Sequence, residues 1–313
     1  MNRDAPRVSV LVPCYNKRAH VEETLQSVYD QDYDDWELIV VDDGSTDGST
    51  ELLRRHEDRA RILYGENRGA SAARQRALRE SRGELVQYLD ADDLLLPDAL
   101  STRVQALDDS GADVAYADWQ RMVGEARGEV IARRMEDVDP DPEIACFTRF
   151  WSPPAALLYR RSLLERMPPW NEALPVIQDA RYLQEAALAG ARFVHVPGVT
   201  ALYRDDAENS LSRIDALAFA RDVYRNAEAI EAHWRVAGRL DARRGQAVAD
   251  CYDYVARATF RRAPEIFEQC ITHCDRLQPA TVGRWPRVAA RLQSALGHRA
   301  ALAALRLMGR PAQ

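Results

Sequence analysis

The chain has 313 residues, of which 46% are hydrophobic and 29% are charged, and its formal net charge at pH 7 is −7. These values are ordinary for a soluble globular protein of one or two domains, and the acidic balance argues against a nucleic-acid partner. The five cysteines are widely spread. The sequence therefore indicates neither a disulfide framework nor a zinc ribbon, and reduced thiols are the expectation.

Strand and helix patterns alternate through the first third of the chain. Apolar, β-branched stretches predict strands in VSVLVP, WELIVVDD, RILYGE, GELVQYLD and ADVAYADW, with helical patterns between them. This rhythm predicts an α/β fold with a Rossmann-like, doubly wound, mostly parallel sheet and helices on both faces. Ligands of such sheets bind beyond the carboxyl ends of the strands.

The rest of the chain contains two regions with different sequence patterns. In the middle third, RGEVIARR is a candidate strand, and ARFVHVPGVTALYR predicts two short strands around Pro197 and Gly198. From about residue 214 every segment is helical in pattern. We therefore predict a first domain over residues 1–213 and a helical C-terminal region over residues 214–313.

Acidic residues follow two of the predicted strands. Asp42 and Asp43 end the second strand, and Asp90 and Asp92 end the fourth. Positions i and i+2 of a strand share a face, so Asp90 and Asp92 are predicted to point into one crevice if the strand continues that far. Two such carboxylates suit Mn²⁺ or Mg²⁺, which would neutralise a diphosphate at the same edge. The alternative is that they are ordinary turn or cap aspartates, a role that Asp93 also fits.

Four motifs in this order resemble the family 2 glycosyltransferases with the GT-A fold. They are VSVLVPCYNK, ELIVVDDGSTDGS, NRGASAARQRAL and GELVQYLDADDLLLPDAL, all within the first 100 residues. The resemblance implies an enzyme that transfers a sugar from a nucleotide-sugar donor to an acceptor hydroxyl with inversion, in bacterial polysaccharide or glycolipid assembly. It also implies a metal cofactor, Mn²⁺ or Mg²⁺, at an Asp-X-Asp motif.

The resemblance carries over to individual positions. Asp92 matches the more direct metal ligand of the Asp-X-Asp motif, and Asp90 matches its partner. Arg74 matches an arginine near the nucleotide, although a surface arginine is a comparable reading. The remaining nucleotide-sugar contacts implied by the family are Pro13, Tyr15, and Asp42 or Asp43, of which Tyr15 could equally be an ordinary half-buried tyrosine.

The catalytic base of the family comes from a later segment that opens a helix. Asp179 matches that position, with Gln178 where the family usually has Glu. A carboxylate there would accept the proton of the acceptor hydroxyl, or would only complement the helix dipole. Trp151 is either a platform for a sugar ring or a core residue. Arg204 and Ser210 are weaker candidates for diphosphate contacts.

The last 35 residues carry six arginines and no acidic residue. This pattern indicates basic amphipathic helices that either lie on an anionic membrane, pack on their own domain, or form a dimer contact. The first alternative would suit a saccharide or lipid-linked acceptor and a cytoplasmic enzyme that is peripheral on the inner membrane face. The N-terminus lacks a signal-peptide pattern, and no run of 18 apolar residues predicts a membrane span. The oligomeric state stays open.

Three other function classes match the sequence less well. A nucleotidyltransferase would use a similar sheet and paired aspartates, but it would normally carry a glycine-rich phosphate loop where this chain reads PCYNKRAH. A non-catalytic nucleotide-sugar-binding protein of the same fold is compatible with departures such as Gln178. A nicotinamide dehydrogenase is disfavoured because no G-x-G-x-x-G follows the first strand.

Overall fold

The computed structural model describes residues 5–205 and 215–277, together with four isolated positions (288, 291, 292 and 295). The chain divides into two compact units, Met1–Asp206 and Ala207–Gln313. The assignment of residues 1–213 and 214–313 as domains stays a prediction.

The first unit alternates strands and helices, as its sequence pattern predicts. Its strands are β1 (Val8–Cys14), β2 (Trp36–Asp42), β3 (Arg61–Tyr64), β4 (Leu85–Tyr88), β5 (Leu94–Leu95), β6 (Val114–Val123), β7 (Ala126–Ile131), β8 (Leu157–Arg160) and β9 (Phe193–Arg204). Its helices are α1 (Val21–Tyr29), α2 (Ser49–Leu53), α3 (Ala70–Glu80), α4 (Ala99–Ser110), α5 (Met135–Val138), α6 (Pro142–Thr148), α7 (Arg161–Leu164) and α8 (Gln178–Leu188).

The described strands form one mixed sheet in the order β3-β2-β1-β4-β8-β6-β9-β5, with β7 paired to β6. The strands β1 to β4 are mutually parallel, as are β6 and β9. The strand β8 runs antiparallel between β4 and β6. The mostly parallel α/β sheet predicted from the sequence is therefore confirmed.

The central strands β1 and β4 of the sheet are buried on both faces. Val8, Val10 and Val12 of β1 pack in one apolar cluster, whereas Leu11 packs in another with Ile39 of β2. Alternate side chains of a strand point to opposite faces, so these two clusters lie on opposite sides of the sheet. Helices cover the sheet on both sides. A strand buried on both faces reads as a continuous apolar run, which explains the strong sequence signal of β1.

For the middle third, the structure agrees with one predicted strand in part and contradicts another prediction. Within the predicted stretch RGEVIARR, residues 127–131 form part of strand β7, which pairs antiparallel with β6, whereas residues 132–134 lie beyond its end. The segment around Pro197 and Gly198 is one continuous strand, β9, and the prediction of two short strands was wrong. The register against β6 shifts beside Asp118, and this irregularity accommodates the Pro-Gly pair without ending the strand.

The described part of the second unit is helical, as predicted: α9 (Ala216–Val236), α10 (Ala242–Thr259) and α11 (Pro264–Leu277). Asp215 and Asp241 cap α9 and α10 by accepting hydrogen bonds from backbone N–H groups of the first turn. Buried Glu231 lies among donors from three helices, including Tyr252, His273 and Arg276. Among the described residues, no helix combines the length and apolarity needed to cross a membrane.

Candidate active site at the carboxyl edge of the sheet

The strand register aligns the ends of β1, β2 and β4. Cys14 lies opposite Asp42, and Leu11 lies opposite Tyr88. The Asp43 N–H donates to the Cys14 carbonyl over 2.8 Å, which extends the alignment past the end of β2. Pro13 is buried within β1, whereas Tyr15 is exposed just beyond it. The predicted site residues that follow these strands therefore meet at one edge.

The acidic stretch after β4 is a turn rather than an extended strand. The strand ends at Tyr88, and the Asp93 N–H donates to the Asp90 carbonyl over 3.0 Å. Strand alternation, which the sequence suggested, is therefore not what places Asp90 and Asp92 together; the turn does so. Their side chains are 28% and 24% exposed. Both carboxylates are thus accessible at the edge.

Asp93 differs from its two neighbours because it is buried. Its Oδ1 accepts the backbone N–H of Arg204 over 2.9 Å, which ties the acidic turn to the end of β9. Burial, with the charges of Asp92 and Asp90 nearby, raises the pKa of Asp93 well above its ordinary value. Asp93 therefore has a structural role in this turn.

Each accessible carboxylate already has a basic partner. The Arg74 guanidinium contacts Asp90, and the Lys17 ammonium contacts Asp92. Arg74 is only 4% exposed and its guanidinium lies 4.6 Å from the ring centre of Trp170. This burial excludes the alternative of a surface arginine. The Nε and Nη1 atoms of Arg74 are buried and have no hydrogen-bond partner within the described part of the chain.

Arg204 supports the acidic turn from behind. Its Nε donates to the backbone carbonyl of Asp92 over 3.0 Å, and its Nη2 pairs with Glu23 at 2.8 Å. These contacts hold the backbone of the turn and leave Arg204 buried. Ser210, the other weak diphosphate candidate, lies outside the described residues.

Asp42 and Asp43 are buried and brace the loops that follow β2. Asp42 accepts the Ser45 N–H at 3.0 Å and the Thr50 hydroxyl at 2.5 Å. Asp43 accepts both backbone N–H groups of residues 68–69, at 2.9 and 2.8 Å. These contacts give both carboxylates a role in shaping the edge. A contact of either with the base or ribose stays a prediction.

Asp179 comes from a distant part of the sequence and lies near the same group. It occupies the first turn of α8 and its Oδ2 accepts the Trp151 indole N–H over 2.9 Å. Burial raises the pKa of this half-buried carboxyl, and the negative charge of Asp90 adds to the effect. The Arg74 charge and the Trp151 hydrogen bond oppose it. Asp179, Asp90 and Arg74 are therefore electrostatic neighbours.

The support of Asp179 by aromatic rings was not predicted from the sequence. Trp151 contacts Trp119 and Tyr203 edge-on, with ring centres 5.4 Å away in both cases. Trp151 thus packs against the core, which favours the second of its two predicted roles. The signal in the sequence was an aromatic residue in each of two predicted strand segments, Trp119 in ADVAYADW and Tyr203 in ARFVHVPGVTALYR; the structure places Trp119 within β6 and Tyr203 near the end of β9.

Gln178, which departs from the family pattern, faces the protein. It is buried, its Oε1 accepts the Ser71 hydroxyl at 2.6 Å, and its Nε2 donates to the Pro175 carbonyl at 3.1 Å. An amide can donate and accept at once, whereas a carboxylate only accepts. Glutamine at this position therefore fits the contacts between the start of α8 and α3.

Comparison with known proteins identifies the family to which the chain belongs. Residues 9–170 match the sequence profile described as Glycosyl transferase family 2, which is just over half of the chain. The chain belongs to glycosyltransferase family 2. This confirms the resemblance drawn from the four motifs.

Two curated relatives illustrate the sequence similarity. TuaG of Bacillus subtilis (strain 168), whose name provisionally assigns it to teichuronic acid biosynthesis, is 37% identical over 121 residues, or 37% of this chain and 48% of TuaG. The GalNAc(5)-diNAcBac-PP-undecaprenol beta-1,3-glucosyltransferase of Campylobacter jejuni is 35% identical over 35% of this chain and 37% of its own length. The chain thus spans about half or less of the length of these relatives.

Solved structures agree on the fold. TarS 1-349 of S. aureus, in complex with UDP-GlcNAc, superposes with a TM-score of 0.58 at 18% identity and covers 87% of this chain and 89% of TarS 1-349. The mannosyltransferase PcManGT from Pyrobaculum calidifontis, in complex with GDP-Man and Mn²⁺, gives a TM-score of 0.50 at 22% identity, over 95% of this chain and 83% of its own. The α/β sheet of this chain, with its helical C-terminal region, is the GT-A fold.

Proposed function

We propose that the protein transfers a sugar from a nucleotide-diphosphate sugar to an acceptor hydroxyl with inversion, with Mn²⁺ or Mg²⁺ as cofactor. One observation carries the proposal: the turn that bears Asp90 and Asp92 and the distant carboxylate Asp179 lie together around Arg74. Inverting transfer needs a carboxylate opposite the leaving diphosphate and a positive charge beside it.

The acidic turn fits a cation that binds together with its substrate. Among the described residues, no three His, Cys, Asp or Glu side chains form a group that could hold a metal by themselves. Asp90 and Asp92 supply two accessible carboxylates, and Mg²⁺ and Mn²⁺ commonly bind one or two carboxylates plus the phosphates of a substrate. When bound, such a cation would neutralise the charge that develops on the leaving diphosphate. Asp92 and Asp90 would hold it.

In the proposed transfer step, Asp179 is the general base. Asp179 accepts the proton of the acceptor hydroxyl as the new oxygen–carbon bond forms at the anomeric carbon. The bond from that carbon to the diphosphate oxygen breaks, and its electron pair stays on the diphosphate. The raised pKa of Asp179 suits this role, because a base is most effective when its pKa approaches the working pH. Tyr15, Asp42 or Asp43 would contact the nucleoside.

The test combines donor binding with turnover. A thermal-shift screen of nucleotide sugars with Mn²⁺ should identify a donor, because a ligand of the folded state raises the melting temperature. Asp179→Asn should keep donor binding and lower transfer or donor hydrolysis about 10²- to 10⁴-fold, the usual contribution of a general base. Asp109→Asn, an exposed change on α4, is the matched control. Unchanged turnover in Asp179→Asn would refute the assignment, and binding without any turnover in the wild type would favour a non-catalytic role.

The acceptor belongs to bacterial polysaccharide or glycolipid assembly in this proposal. The names of TuaG and of the Campylobacter jejuni relative support that setting. The basic tail would hold the enzyme on an anionic membrane beside a lipid-linked acceptor. Almost all of this tail lies outside the described residues. Sedimentation with phosphatidylglycerol vesicles, compared with phosphatidylcholine vesicles, tests the membrane contact, and equal binding to both would contradict it.

A further inference from the structure

The two accessible carboxylates of the acidic turn have cationic partners of different kinds. Arg74, on α3, is buried against Trp170 and contacts Asp90. Lys17, on the loop between β1 and α1, contacts Asp92 through Nζ and Oδ2, 2.5 Å apart, and its side chain is 28% exposed. Lys17 is also the single lysine of the chain. Every other basic residue of the chain is an arginine or a histidine.

The partner of Asp90 is fixed, whereas the partner of Asp92 can leave. The guanidinium of Arg74 has two buried nitrogen atoms without a hydrogen-bond partner in the described structure, which indicates a polar ligand at this place. By contrast, the ammonium of Lys17 lies at the end of a flexible four-carbon chain. The backbone of Lys17 is anchored independently of this ion pair, because its N–H donates to the Ser49 hydroxyl over 2.9 Å.

The place of the Lys17 ammonium is the place that a divalent cation would need. It lies against Asp92 and close to the charges of Asp90 and Asp93. Two cations held against the same carboxylate oxygen would repel each other strongly. A divalent cation that binds Oδ2 of Asp92 therefore has to displace the ammonium.

We propose that Lys17 is a built-in counter-ion of Asp92, which a divalent cation displaces only when a diphosphate arrives with it. This inference rests on the proposed function, since it assumes that Asp92 is a metal ligand. The released ammonium is neutralised by the negative charges of the diphosphate. The cation and the diphosphate consequently bind with positive coupling, and Lys17 is the source of part of that coupling.

Calorimetry with Mn²⁺ alone tests the exchange directly. Lys17→Met should bind Mn²⁺ about two- to fivefold more tightly than the wild type, the range expected when a partly exposed ion pair no longer competes. Arg18→Met is the matched control, because it removes the same charge from the neighbouring, exposed position. If Lys17→Met and Arg18→Met increase the affinity for Mn²⁺ equally, the increase comes from the change in net charge alone, and the proposal is overturned.

The coupling is measured with inorganic pyrophosphate, which carries the diphosphate without a base or a sugar. In the wild type, pyrophosphate should tighten Mn²⁺ binding more than it does in Lys17→Met, by about the same two- to fivefold factor. Identical coupling in the two proteins would overturn the proposal and leave the metal-dependent function intact. If neither protein binds Mn²⁺ even with pyrophosphate, the proposed metal dependence fails as well, so the two failures are distinguishable.

The single lysine also permits a direct view of the side chain. Reductive methylation with ¹³C-formaldehyde labels Lys17 and the terminal amine only, and Lys17→Met identifies the lysine signal. Mg²⁺ and pyrophosphate together should shift that signal, whereas either alone should shift it less. A lysine signal that does not move when both are bound would show that the ammonium stays on Asp92 and would refute the exchange.

Discussion

The hydrogen bond from the Trp151 indole N–H to Asp179 is expected to set the pH range in which the base works. Trp151→Phe keeps a ring against Trp119 and Tyr203 but removes the donor that lies 2.9 Å from Oδ2. A hydrogen bond to a charged group is typically worth about 1.5 to 3 kcal/mol, and the partial exposure of Asp179 places this one at the lower end. Because the lost bond stabilised the ionised form, the pKa of Asp179 should rise further. About 1.5 kcal/mol corresponds to a pKa rise of about one unit, so the rate should fall by up to about tenfold where Asp179 is largely protonated in both proteins, and by less near its pKa.

The assay is kcat/KM against pH, with the donor found by the thermal-shift screen. The loss in Trp151→Phe should be largest on the acid side and should disappear at high pH, where Asp179 is ionised in both proteins. Trp119→Phe changes the same aromatic cluster without removing the indole donor to Asp179, so its pH profile should match that of the wild type. A profile of Trp151→Phe that is lowered equally at all pH values would show that Trp151 only packs, and the reasoning would be wrong.

Two further predictions concern buried polar contacts. Gln178→Glu should lower the free energy of unfolding by about 1 to 3 kcal/mol, because a carboxylate cannot donate to the Pro175 carbonyl; chemical denaturation measures this, and an unchanged midpoint would contradict it. Burial alone would raise the pKa of Glu231, but hydrogen bonds from Arg235, His273 and Tyr252 hold this pKa below its ordinary value. A carboxyl group whose pKa is lower in the folded state stabilises the fold at pH values above its pKa in the unfolded state. This stabilisation is lost as the pH falls through the pKa of the folded state. Glu231→Gln should therefore cost about 2 to 3 kcal/mol at pH 7 and progressively less below about pH 4, and a constant difference in unfolding free energy would refute the linkage.

The departures of the structure from the sequence-based predictions have local causes. Strand alternation was expected to place Asp90 and Asp92 on one face, but β4 ends at Tyr88 and a turn brings them together. Periodicity shows where an apolar run ends and does not show how the backbone continues. The strand β9 was divided at Pro197 because proline and glycine usually interrupt a strand, yet a shift in register against β6 absorbs them.

The sequence by itself determined the layers of the fold and the edge where the site lies. Apolar runs such as VSVLVP predict strands buried on both faces, and acidic residues at their ends can only lie at the carboxyl edge of a parallel sheet. Only the tertiary structure decided which charges meet there. Lys17 with Asp92, Arg74 with Asp90, and Trp151 with Asp179 are pairs from different elements, up to 75 residues apart. No local pattern contains such pairings, because chain crossings and loop geometry set them.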